Sequence, residues 1–159
     1  MSEHDTRYSM KMFQSFQMVE LTGLTKSQLR EWCSVRQLLP SDIMPEGPGT
    51  HAMFTWQTAI SLRILKNIRD DWAGTVSAWA PVVRDFRTEI KGTSFPTLFG
   101  HVVVFQSISS MTIQKDSELR AGSGVLAVPL DPHLEVLASK LAIPLPDQLP
   151  LFPPMAVKA

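Results

Sequence analysis

The chain has 159 residues, of which 44% are hydrophobic and 19% charged, with 15 cations matched by 15 anions. This size suits one domain with a core of its own and leaves room for a small lobe and tails, and the composition argues against a disordered chain. No run approaches the roughly eighteen apolar residues of a membrane helix, and Met1 to Lys11 mixes Glu3, His4, Asp5 and Arg7 without an apolar segment, so a soluble, cytoplasmic protein is expected.

Zero net charge gives no global attraction to nucleic acid, but the charge is unevenly spread. Between Lys11 and Arg69 seven cations (Lys11, Lys26, Arg30, Arg36, Arg63, Lys66, Arg69) face four anions (Glu20, Glu31, Asp42, Glu46), a surplus of three. The first half is therefore the part suited to an anionic partner. Cys33 is the only cysteine. An intrachain disulfide is impossible, a cysteine-based metal site is not expected, and Cys33 reads as a small buried hydrophobe.

In chain order, residues 1–12 read as a flexible N-terminus. Phe16 to Leu24 reads as a short helix with Phe16, Val19 and Leu24 apolar, closed by a turn at Gly23. Thr25 is placed to cap the next helix, where Leu29, Trp32, Cys33 and Val35 recur at helical spacing and Lys26, Gln28, Arg30 and Arg36 are polar. Pro40 ends that helix. Ser41 to Thr50, with Pro45, Gly47, Pro48 and Gly49, suits a hairpin loop returning through Phe54 to Trp56. From Thr58 to Ile68 the apolar residues Ala59, Ile60, Leu62, Ile64, Leu65 and Ile68 predict a core-backed helix. A further helix is expected from Thr75 or Ser77, with Trp79, Val83, Phe86 and Ile90 on one face, Pro81 in the first turn and Gly92 as the C-cap.

Beyond Gly92 the pattern turns to β. Val102 to Phe105 and Gly124 to Leu130 are strand-like runs, and two or three strands are expected. Asp131 and Pro132 open a helix through Leu134, Leu137 and Leu141. Pro144, Pro146, Pro150, Pro153 and Pro154 then predict an extended tail over 144–159. The domain reading is thus 13–92 for a helical, anion-facing unit, 93–143 for a small β-rich dimerisation or partner lobe, and the two termini.

The segments Val19 to Trp32, Leu38-Leu39-Pro40 and Gly49 to Thr55 together resemble the MerR-type winged helix-turn-helix. They carry in order the turn glycine, the Leu29-Arg30-x-Trp32 core, the Leu-Leu-Pro exit and a Gly49-x-His51-x-x-Phe54 wing, over about residues 13 to 72. The resemblance implies an α+β fold, a winged helix-turn-helix followed by a small β-rich lobe with a terminal helix. It further implies a DNA-binding transcriptional regulator, nucleoid-associated and probing double-stranded DNA as a homodimer. Thr25, Lys26, Ser27, Gln28, Arg30 and Arg36 would lie on the helix entering the major groove, with Lys26, Ser27 and Gln28 toward base edges and Arg30 on phosphate. Thr50 and His51 would contact DNA from the wing tip. Trp32 is expected in the core rather than stacked on a base. Two departures stand out: Ala52 and Met53 occupy the places of the family's wing arginines, and a β-rich lobe replaces the long dimerising helix of effector-sensing members.

In the tail, Gln148-Leu149-Pro150-Leu151-Phe152 resembles the bacterial sliding-clamp-binding pentapeptide. Such a peptide binds extended, with Gln148 fixing the backbone and Leu149, Leu151 and Phe152 filling apolar pockets. The alternative is that these side chains fold back on the body. A second functional expectation follows, a replication or repair accessory factor or a replication inhibitor that binds the clamp. No Gly-rich phosphate loop, nucleophile elbow or paired-carboxylate motif is present, and His101 and His133 are isolated, reading as surface or helix-start residues. No catalytic residue, metal or cofactor is expected, and the chain reads as a non-enzyme.

Overall fold

The computed structural model describes residues 11–120, 122 and 124–141. The fold mixes helices and one antiparallel sheet: α1 (Ser15–Thr22), α2 (Lys26–Arg30) prolonged by a π turn (Glu31–Val35), α3 (Trp56–Trp72), α4 (Val76–Glu89), β1 (His101–Ser107), β2 (Ser110–Lys115), β3 (Leu126–Pro129) and α5 (Asp131–Leu141). Short 3-10 turns at Phe95–Leu98 and Asp116–Glu118 precede β1 and follow β2. The expected α+β class is therefore the observed one.

Helix α3 is the spine. Its first seven residues, Trp56 to Leu62, are all buried, as befits a helix packed on every side. The polar members of this run are satisfied locally: Ser61 Oγ donates to the Gln57 carbonyl at 2.7 Å, and Thr58 Oγ1 donates to Asp42 Oδ2 at 2.7 Å. Around α3 pack α1, α4 and α5. Burial runs without a break from Phe13 through Leu65 and Phe86 to Leu137 and Ala138, so the residues expected as a separate lobe at 93–143 share one hydrophobic cluster with those of 13–92.

The sheet has the order β2-β1-β3, antiparallel throughout. On the central strand Val103 and Phe105 join the main cluster, and Phe105 meets Trp79 of α4 edge to face, ring centroids 5.6 Å apart. Val102 and Val104, on the other face, are buried as well. Strand β2 is the third of the two or three expected, and no apolar run marks its position in the sequence. It is built from SMTIQK, which lies at the sheet edge with only half-buried positions facing the protein, so it lacks the hydrophobic run that marks β1.

Other local expectations change for identifiable reasons. Phe16 is 67% exposed because α1 turns Met18, Leu21 and Thr22 inward, and a residue two places from Met18 points to the opposite side of a helix. Val35 is 66% exposed. The Arg36 N–H donates to the Glu31 carbonyl, an i to i−5 bond whose wider turn keeps Trp32 and Cys33 inside and rotates Val35 out. Pro81 lies in the second turn of α4 rather than the first, since Thr75 is the N-cap and the helix begins at Val76. The helix ends at Glu89 with Ile90 as its C-cap, two residues before Gly92. Helix α5 and its start at Asp131 are as expected, with Asp131 Oδ1 accepting from the Gly100 N–H at 2.8 Å.

Candidate nucleic-acid interface

The turn between α1 and α2 explains how the cationic surface is presented. Gly23 takes φ +74° and its N–H donates to the Val19 carbonyl at 3.1 Å, a left-handed close that an L side chain would strain. Thr22 Oγ1 donates to the Met18 carbonyl at 2.6 Å and accepts from the Leu24 N–H at 3.2 Å, holding the corner from inside. Thr25 then caps α2: its Oγ1 accepts from the Gln28 N–H at 3.1 Å while Gln28 Oε1 accepts from the Thr25 N–H at 3.0 Å. This reciprocal pair satisfies two helix-end donors at once.

Leu29, Trp32 and Cys33 anchor the inner face of this segment. Trp32 is 4% exposed and its ring is covered by the Arg69 guanidinium of α3 at 5.0 Å, so it packs within the protein, as expected, and offers no face to a base. Cys33 is buried beside it, and burial pushes its thiol up to about 12, only partly opposed by Arg87.

On the outer face Thr25, Lys26, Ser27 and Arg30 are exposed. Lys26, Ser27, Arg30, Glu31 and Val35 line a shallow concavity. Gln28 is half-buried, and its carbonyl oxygen is committed to the cap, leaving its amide N–H groups as the free end. Arg36 is exposed and 3.8 Å from Glu31, an open ion pair of little energetic weight.

The loop after α2 returns antiparallel to itself. Ile43 and Met53 exchange two backbone hydrogen bonds at 3.1 and 3.0 Å, and Phe13 and Phe54 exchange two more at 2.8 Å each. At its tip Thr50 Oγ1 donates to the Gly47 carbonyl at 2.7 Å and accepts from the Gly47 N–H at 3.0 Å. Thr50 is thereby occupied in shaping the turn, whereas His51 beside it is exposed. The loop's two ends are tied at the base, where Asp42 Oδ2 accepts from the Thr55 N–H and from Thr58 Oγ1, both at 2.7 Å. Arg87 of α4 adds a bond from Nη1 to the Pro40 carbonyl at 2.7 Å.

A second set of charges lies at the junction of α1, α3 and α5 and was missed from the sequence. Arg63 Nη1 donates to the Leu21 carbonyl at 3.1 Å and Arg63 Nε donates to His133 Nδ1 at 3.3 Å. Burial, with Arg63 adding to it, lowers His133 to about 4, and burial also lowers Arg63. His133 is thus a neutral acceptor that holds Arg63 in place. Nearby, hydrogen bonds from Arg69 and Lys66 lower Asp70 to about 2. The partners are 70 residues apart in sequence, and no local pattern marks them.

Gln148, Leu149, Leu151 and Phe152 lie outside the described residues. Among the described residues no group of three His, Cys, Asp or Glu side chains is arranged to hold a metal ion, and no helix is long and apolar enough to cross a membrane. No protein-family model and no characterised protein matches this chain.

Proposed function

We propose that the chain is a DNA-binding regulator of transcription whose MerR-like winged helix-turn-helix comprises α1, α2, the 41–55 loop and α3. The observation that carries this reading is the outward display of Lys26, Ser27 and Arg30 on a segment whose opposite face, Leu29, Trp32 and Cys33, is anchored in the core. Such a segment projects cations from a rigid backing, the arrangement suited to a duplex groove. Arg30 supplies a phosphate contact, Lys26, Ser27 and the free amide end of Gln28 reach base edges, and His51 reaches the backbone from the loop tip. Thr25 acts mainly by capping, Thr50 by shaping the loop. A single module covers little DNA surface, so tight binding requires a homodimer on an inverted repeat.

The test is a selection of bound duplexes from randomised DNA, followed by titration of Lys26→Ala and Arg30→Ala variants. Enrichment of an inverted repeat, weaker binding by both variants, and a fall of about one in the salt slope for each removed phosphate contact are the expected results. Unchanged affinity in both variants overturns the assigned face. A second reading rests on Gln148-Leu149-Pro150-Leu151-Phe152: the tail binds a bacterial sliding clamp, making the protein a replication or repair accessory factor or a replication inhibitor. Retention on immobilised clamp that is lost in Gln148→Ala/Phe152→Ala supports it, and equal retention of both forms, or none, ends it.

A further inference from the structure

Between the first turn of α3, the root of the 41–55 loop and the last turn of α4 lies a concavity of about 450 Å³, bordered by Ser41, Asp42, Gln57, Arg87, Thr88 and Lys91. We infer that it is a binding site for a small carboxylate carrying a second hydrogen-bonding group, a ligand of metabolite size.

Three observations point the same way. Gln57 is 9% exposed; its carbonyl serves Ser61, but its side-chain amide has no hydrogen-bond partner among the described residues. No fully enclosed side-chain nitrogen or oxygen of those residues is left without a partner, so the Gln57 amide opens onto the concavity that its residue lines. An amide held this way on a nearly buried residue is served only from the concavity, by water or by a polar group of a ligand that displaces it. Arg87 uses Nη1 for the Pro40 carbonyl and Thr58 Oγ1, which leaves Nε and Nη2 as a two-donor fork of the geometry that grips a carboxylate. The first-turn N–H groups of the 17-residue α3 add positive potential on the same side.

The charge balance selects the ligand. Arg87 and Lys91 against Asp42 leave one net positive charge, which matches a monocarboxylate better than a phosphate dianion. Asp42 Oδ2 is already engaged by Thr55 and Thr58, and the Ser41 and Thr88 hydroxyls donate to Met44 Sδ and the Arg84 carbonyl, so Asp42 Oδ1 and the lone pairs of those two hydroxyls remain to accept from a donor group on the ligand. The volume falls in the range of small-molecule sites. The inference stands apart from the DNA reading and survives its failure.

The experiment is a titration of the intact, isotopically labelled protein with glycolate, with inorganic phosphate and chloride at matched ionic strength as comparisons, read by NMR at the Gln57 side-chain amide and the Arg87 Nε–H. The expected result is saturable movement of both signals with glycolate, weakened about two- to fivefold in Lys91→Ala, the usual worth of a partly exposed ion pair. Lys91 is exposed, so this variant keeps the fold, and an unchanged melting temperature verifies that. Gln57→Leu abolishes the Arg87 response if the amide is a ligand contact. Movement that never saturates, that chloride reproduces, or that Lys91→Ala leaves unaltered overturns the site. Stronger response to phosphate overturns the carboxylate assignment, and a DNA duplex moving these signals where glycolate does not assigns the concavity to nucleic-acid backbone instead.

Discussion

Mild acid is expected to weaken the fold through His133. In the native protein its Nδ1 accepts from Arg63, and its pKa falls from the ordinary 6.5 to about 4. The direction of the effect follows from proton counting. Between about pH 6.5 and pH 4 the unfolded chain carries a proton on His133 that the native chain does not, so stability rises with pH across that window and is lost as the solution is acidified. Taking the full shift, acidification from pH 7 to pH 5 costs about 2 kcal/mol, an upper figure because the site is not sealed from water. Asp70, lowered to about 2, titrates below this range: its stabilisation is present above the ordinary carboxylate value and disappears only toward pH 2. Urea denaturation at pH 7 and pH 5 measures the effect, and His133→Asn, which keeps a neutral acceptor near the Nδ1 position, provides the control. The variant should lose about 2 kcal/mol less than the parent over the same interval, since the other histidines contribute equally to both. Identical pH dependence in the two proteins would refute the assignment of a neutral, Arg63-bound His133.

Thr25→Ala removes one half of the reciprocal cap with Gln28 and should cost about 1 kcal/mol in thermal or chemical denaturation. Gly23→Ala meets no close neighbour, the nearest atom being the Lys66 Cε at 3.7 Å, yet φ +74° makes it unfavourable by about 1 kcal/mol through backbone strain alone. Ile64→Ala, at a fully buried position of the spine, should lower stability by roughly 2 to 5 kcal/mol, measured by the same denaturation curves. The Cys33 thiol, held at about 12, should not react with a thiol-specific disulfide reagent at pH 8 in the native state and should react fully in urea, because the thiolate is the attacking species.

What the sequence revealed, and what it did not, divides by the range of the interactions. The Thr25–Gln28 cap, the turn at Gly23 and the apolar rows of α3 and α5 are encoded within a few residues, and each is legible from spacing. The strand run at Val102 to Phe105 is legible for the same reason, whereas SMTIQK becomes a strand only because β1 offers its edge. Val35 misleads because a single wide turn after Arg30 shifts the helical phase, which no propensity records. For the candidate interface, the exposure of Lys26, Ser27 and Arg30 agrees with the amphipathic pattern, but the diversion of Thr50 into its own small turn depends on conformation. The Arg63–His133 contact and the Asp42 bonds to Thr55 and Thr58 join distant parts of the chain. They arise from packing, and spacing alone contains no signal for them.

The Asp42 and Arg87 bonds give the 41–55 loop an unequal mechanical character. Its roots are clamped to two helices, while the stretch around Gly47 to Thr50 is held only by its own small turn. Bending at the crown therefore dissipates before it reaches the spine, and the loop resembles a cantilever that conforms to whatever touches its end. Loosening the clamp would do the opposite: it would free the whole arm, His51 included, from the two helices that hold its roots.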